Sequence, residues 1–148
     1  MKSWIDLPPV WLALFLCLAW GIGQVLPLRL FGDAGAVIGA ALVGAGLLLM
    51  AWAAAVMMLA RTTVIPHRAP SALVTSGPFR LSRNPIYLAD ATVLAGAALW
   101  WDAGVALVLV PLFMSLISRR FIQAEEERLA RAFGPAWQAW SLRVRRWL

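Results

Sequence analysis

Long apolar runs separated by short basic segments dominate the chain, and their lengths predict a helical membrane protein. Four runs stand out, at about residues 9–28, 34–60, 86–101 and 103–118. The second carries no charge. As a helix it would reach about 40 Å, enough to cross a bilayer with tilt. The third contains Asp90 and would cover only about 24 Å, short against a hydrocarbon core of about 30 Å. Pro111 breaks the fourth. Asp102-Ala103-Gly104 reads as a tight turn, so runs three and four are predicted to form an antiparallel hairpin. The expected architecture is all-α and integral to the membrane, a single domain over residues 1–148. It has four transmembrane helices and a C-terminal amphipathic helix on the cytosolic side.

That last helix is predicted over residues 119–133, where Glu, Ala, Arg and Leu dominate and Gly134-Pro135 stops the run. Ile122, Leu129 and Phe133 share one face. At about 100° per residue, Glu125 and Glu126 fall on the two flanks of that stripe, while Glu127 and Arg131 point away. Continued from the fourth run, the same helix would carry Arg119 on its inner side and Arg120 on its outer side. Beyond the stop, Trp137, Trp140 and Trp147 alternate with Arg143, Arg145 and Arg146, the composition of a segment lying at a headgroup interface. In the second run, Gly35 and Gly39, with Ala36, Ala40 and Gly44, supply the small residues that close helix contact requires. Packing within one bundle accounts for them more simply than a dimer seam.

Composition sharpens the class. The chain is 62% hydrophobic and 14% charged, against about 25% charged in an ordinary soluble domain. The net charge of +6 lies beside apolar runs, so lipid headgroups explain it better than nucleic acid. Lys2, the segment with Arg61, Arg68, Arg80 and Arg83, and the Arg-rich tail all fall on one side of a four-span arrangement, with Arg29 opposite. The expected orientation is therefore N-terminus and C-terminus in the cytoplasm. The opening residues read as a retained first span, since the apolar run lacks a small-residue cleavage site. One cysteine, Cys17, and one histidine, His67, make neither a disulfide nor a metal cluster. His67 reads as a solvated loop residue.

The chemistry concentrates in two polar segments. Thr75-Ser76-Gly77-Pro78-Phe79-Arg80 reads as a tight turn, and Asn84-Pro85 as the start of the third span. Arg83 and Tyr87 then lie one turn apart, with Asp90 a turn further. Asp90 is expected to pair structurally rather than bind ligand, although an ionisable group within a span is a functional candidate by default.

Taken in order, Leu73-Val74-Thr75-Ser76-Gly77-Pro78-Phe79, then Arg83-Asn84-Pro85-Ile86-Tyr87, then Glu125-Glu126 with Leu129, Phe133 and Gly134, then Arg143-Val144, the pattern resembles the isoprenylcysteine carboxyl methyltransferase family and its phospholipid methyltransferase relatives. The likeness covers about residues 63–148, and the first two spans carry no diagnostic motif. It implies a helical membrane enzyme that uses S-adenosylmethionine in a cytosolic pocket formed by the loop 61–85, the start of the next span and the tail helix. Carried over by position, the cofactor contacts would be Ser71, Ala72, Leu73, Val74, Phe79, Asn84, Pro85, Ile86, Tyr87, Glu125 and Glu126.

The resemblance also implies a substrate-binding arginine one turn before the acidic pair. Phe121 occupies that position, and Arg119 is the better candidate on helical geometry. Arg83 is the expected catalytic residue. Asn84 stands where the eukaryotic enzymes have His, and Trp137 and Trp140 where they have Tyr. Asn belongs to the wider bacterial membership, and a bacterial inner membrane is the expected location. The implied partners are membrane lipids and an amphiphilic or lipid-linked acceptor. No general base is evident, which favours an acceptor already ionised. The alternatives are a phospholipid amine or small-thiol methyltransferase, and a non-enzymatic membrane scaffold.

Overall fold

The computed structural model describes residues 7–62 and 70–148. Lys2, His67 and Arg68 lie outside the described residues. The described chain is helical, with no strand. Helix α1 spans Pro8–Val25 and α2 spans Gly32–Leu59. A single 3₁₀ turn at Gly77–Arg80 precedes α3, Pro85–Trp100. Another 3₁₀ stretch, Gly104–Val108, leads into α4, Leu109–Ile117. A π-helical turn at Ser118–Ile122 joins α4 to α5, Gln123–Ser141.

Among the described residues three helical stretches are long and apolar enough to cross a membrane: Pro8–Val25, Gly32–Leu59 and the continuous Gly104–Ser141. Helix α3 is shorter, and it is the most enclosed of the helices. Ten of its residues are buried, among them Tyr87, Asp90 and Leu94. The outer helices show apolar side chains such as Val37, Leu48 and Leu59 to their surroundings, as lipid-facing helices do.

Glycine sets the close contact of α2 with α3. A Cβ on Gly96 would lie 2.7 Å from the Gly39 carbonyl and 2.8 Å from the Val43 nitrogen. A Cβ on Gly46 would lie 2.9 Å from the Ala89 carbonyl. The backbones therefore meet without intervening side chains. The small residues do serve packing within the bundle, but Gly44 does not take part, since no atom lies within 4 Å of its Cβ position. Gly35, Gly39 and Gly46 form the buried stripe, because their phase, not that of Gly44, faces α3.

The turn between α1 and α2 meets the turn that follows α3. The chain reverses after α3 through Asp102, whose φ is 52°. The Asp102 carboxylate accepts hydrogen bonds from the N–H groups of Leu30 (3.1 Å), Phe31 (2.9 Å) and Gly32 (3.2 Å). Gly32 opens α2 and its N–H is one of the helix's orphan donors, with the N–H groups of Phe31 and Leu30 just before it, so one side chain caps α2 and ties both turns together. The loop before α3 and the tail lie at the other end of the bundle.

Pro111 is no break. It sits in the first turn of α4, where its missing N–H costs little. The irregularity falls before it, in the 3₁₀ stretch, and after it, in the π turn. One extra residue in a turn rotates the downstream helix by about 100° relative to a regular α-helix. As a result Phe121 and Ile122 are both buried, whereas Arg119 and Arg120 are both exposed. The guanidinium of Arg120 stacks over the Trp11 ring at 5.3 Å. The inner position expected for Arg119 is thereby lost.

Gly134 does break the tail helix. Its φ of 45° and ψ of −116° bend the axis, and Pro135 restarts helical structure as far as Ser141. The bend folds Trp137, Trp140 and Val144 onto Ala53, Val74 and Phe79, forming a second buried cluster. Trp137 and Trp140 pack edge to face at 5.3 Å. These two indoles are buried rather than laid at an interface, because the bend turns them inward.

Candidate functional site

A cavity of about 280 Å³ opens where the loop, the start of α3 and the tail converge. Its walls come from distant stretches of chain: Leu73, Val74 and Phe79 from the loop, Asn84 to Tyr87 from the start of α3, and Glu125, Arg128 and Leu129 from α5. Trp140 closes it from beyond the Gly134 bend, and Met50 and Met57 reach it from α2.

The start of α3 is held by the end of the chain. The Arg83 N–H donates to the Arg145 carbonyl at 2.9 Å. The Ser82 hydroxyl and the Asn84 amide both donate to the Arg146 carbonyl, at 3.2 and 3.0 Å. Asn84 precedes α3 but does not cap it with its side chain, because its amide is committed to the tail. The Trp147 indole adds a bond to the Ser118 hydroxyl at 3.2 Å. Residues 145–147 thus form a strap across the loop and the π turn.

The two acids of α5 part company. Glu125 accepts a hydrogen bond from the Tyr87 hydroxyl at 2.8 Å and lines the cavity. Glu126 lies outside the cavity lining. Its carboxylate takes two bonds from the Arg146 guanidinium, at 2.7 and 3.2 Å, and an ion pair from Arg83 at 3.6 Å. The bond to Glu126 raises the pKa of Arg146 above its ordinary value, outweighing the opposing effect of desolvation. Arg83 also stands over the Trp137 ring at 5.8 Å. Glu127 faces outward and pairs with exposed Arg131 at 3.1 Å, as the helical phase predicts.

Three donors remain buried without an acceptor among the described residues: Arg83 Nε, Arg128 Nη2 and Trp140 Nε1. All three residues line this one cavity. A buried donor left unpaired costs about 1–3 kcal/mol, and three residues carrying one in the wall of a single cavity can hold an acceptor-rich, anionic group.

Most of the residues singled out in the sequence converge here. Ala72, Leu73, Val74, Phe79, Arg83, Asn84, Pro85, Ile86, Tyr87 and Glu125 line the cavity. Ser71 does not. Its hydroxyl donates to the Arg61 carbonyl at 2.7 Å and its N–H to the Thr62 hydroxyl at 3.3 Å. Glu126 supports the site from behind, and exposed Arg119 stands away from it. Sequence reasoning missed Arg128, Trp140 and Leu129. Arg128 follows Glu125 by three residues, so the same helical phase could have placed it on the cavity side. Asp90 lines the cavity too, and the structural partner expected for it is absent among the described residues.

The phospholipid methyltransferase family matches residues 34–136, well over half of the chain, from the start of α2 to the bend in the tail. No curated protein and no solved structure matches the chain at a significant level.

Proposed function

The chain belongs to the phospholipid methyltransferase family, and from that premise we propose that it transfers a methyl group from S-adenosylmethionine to an amphiphilic or lipid-linked acceptor at the cytosolic face of a membrane. The observation that carries the reading is that Arg83, Arg128 and Trp140, each with a buried donor left unpaired among the described residues, all line one cavity. This donor set fits the cofactor's α-carboxylate. Glu125, fixed by Tyr87, fits its ammonium or ribose hydroxyls. Leu73, Val74, Phe79 and Ile86 offer apolar and aromatic walls for its adenine.

When bound, the cofactor would supply an electrophilic methyl group on a sulfonium. The protein's part is position and field. Arg83 and Arg128 orient the anionic end, Glu125 holds the cationic or hydroxyl end, and the strap keeps the start of α3 against α5. Methionines from α2 and the N-terminal prolines of α1 complete the wall, a surface suited to an apolar substrate tail. In this reading α3 completes a four-span arrangement with both termini cytoplasmic, in a bacterial inner membrane. The acceptor is of the isoprenylcysteine carboxyl type or a phospholipid amine.

The test is S-adenosylmethionine binding to the purified full chain in detergent, measured calorimetrically. Wild type should bind, and Glu125→Gln and Arg128→Gln should each weaken binding at least tenfold while eluting as wild type does. Equal affinity in both variants would remove the assignment of the cavity.

A further inference from the structure

Asp90 carries an inference that rests on this reading and deepens it. Its residue is only 4% exposed, yet it lines the cavity. Among the described residues no hydrogen bond or ion pair reaches its carboxylate. A buried carboxyl without a partner is costly, and one within an apolar helix is retained for a ligand or a proton.

Its place along α3 separates it from the cofactor-side groups. Asp90 lies five residues beyond Pro85, about 7.5 Å further along the helix axis, and one turn deeper than Tyr87. Arg83 lies before the helix starts, and Arg128 and Trp140 belong to the tail. The donors and Glu125, which is tied to Tyr87, gather at the loop and tail, and Asp90 lines the same cavity further along α3, where the chain is flanked by apolar helices.

We infer that Asp90 is the acceptor-side group of the site: it binds the protonated nitrogen of an amine acceptor and takes the proton that this nitrogen must shed. The proton moves from nitrogen to the Asp90 carboxylate. The freed lone pair then forms the nitrogen–carbon bond as the carbon–sulfur bond breaks, and the electron pair of the broken bond stays on sulfur. Asp90 later returns its proton to water. A carboxylate acceptor has no proton to give and would meet a like charge. Asp90 thus selects amine over carboxylate acceptors and supplies the base that the sequence did not reveal.

The experiment uses the full chain in detergent with two matched probes, dodecylamine and dodecanoate, and S-adenosylhomocysteine as the cofactor-side control. Wild type should bind dodecylamine at least tenfold more tightly than dodecanoate. Asp90→Asn should abolish that preference and leave S-adenosylhomocysteine affinity within twofold. Asp90→Glu should retain the preference. Partition into micelles is common to all three proteins and cancels in the comparison. An Asp90→Asn protein with wild-type amine preference overturns the inference. So does a parallel loss of S-adenosylhomocysteine affinity, which would move Asp90 to the cofactor side. An Asp90→Glu protein with no amine preference overturns it as well, and this arm stands even if Asp90→Asn fails to fold. Wild type that binds no S-adenosylhomocysteine overturns this inference and the proposed function together, whereas cofactor binding without amine preference sinks the inference alone.

Discussion

Replacing Glu126 by Gln should loosen the strap without touching the cavity lining. The carboxylate of Glu126 holds Arg146 by two hydrogen bonds and pairs with Arg83 at 3.6 Å. Its side chain is 13% exposed and that of Arg146 is 36% exposed. Solvent therefore screens part of the Arg146 interaction, and the full cost of breaking a buried pair does not apply. A charge-assisted hydrogen bond is worth about 1.5–3 kcal/mol, and Gln can keep one neutral bond, so a net loss of about 2 kcal/mol is reasonable. That corresponds to about 30-fold in the opening equilibrium of the strap.

The direct reporter is the Arg83 amide, which donates to the Arg145 carbonyl. Its hydrogen exchange should accelerate by about that factor if opening of the strap exposes it. Peptides across residues 79–88 followed by mass spectrometry would read it, with α1 peptides as the control. An Arg146→Gln variant should give a similar acceleration, and the double variant little more than either alone, because the two residues act as one unit. Unchanged exchange in Glu126→Gln, or simple additivity in the double variant, would refute the latch and leave the tail held by its backbone bonds and apolar packing.

Two further predictions concern the scaffold. Gly96→Ala should destabilise the bundle by about 1–3 kcal/mol through overpacking, because its new Cβ meets Gly39 and Val43 backbone at 2.7 and 2.8 Å. Gly44→Ala, in open space, should be neutral or slightly stabilising, and SDS-induced unfolding compares the two. Asp102→Ala should lose the cap on α2, about 1 kcal/mol, and add strain at its positive φ. Asp102→Asn, which tolerates that conformation, should fall between wild type and Ala, and equal unfolding midpoints for all three would rule out the cap.

Features that depend on local pattern were legible along the chain. Apolar length and charge placement dictate a helical membrane class, and the turn residues mark where helices begin and reverse. Helical phase sends Glu127 outward toward Arg131 and brings Glu125 inward. The convergence of the loop and Glu125 on one cavity was legible because their residues keep a recognisable order. How the two adjacent acids divide their work is a property of the assembled fold. The tail returns Arg146 to Glu126 across twenty positions, and no local pattern encodes that closure. The same holds for Arg119, displaced outward by a π turn whose extra residue shifts helical phase without a clear mark in composition. It holds for Trp137 and Trp140, whose alternation with arginines suggests an interface until the Gly134 bend folds them inward. Asp90 is the sharpest case: periodicity places it on a helix, but only the packing of α1, α2 and the tail leaves it buried beside a cavity and, among the described residues, without a hydrogen-bond or ion-pair partner. Local sequence sets which face a residue occupies; what that face meets is decided by contacts between segments far apart in the chain.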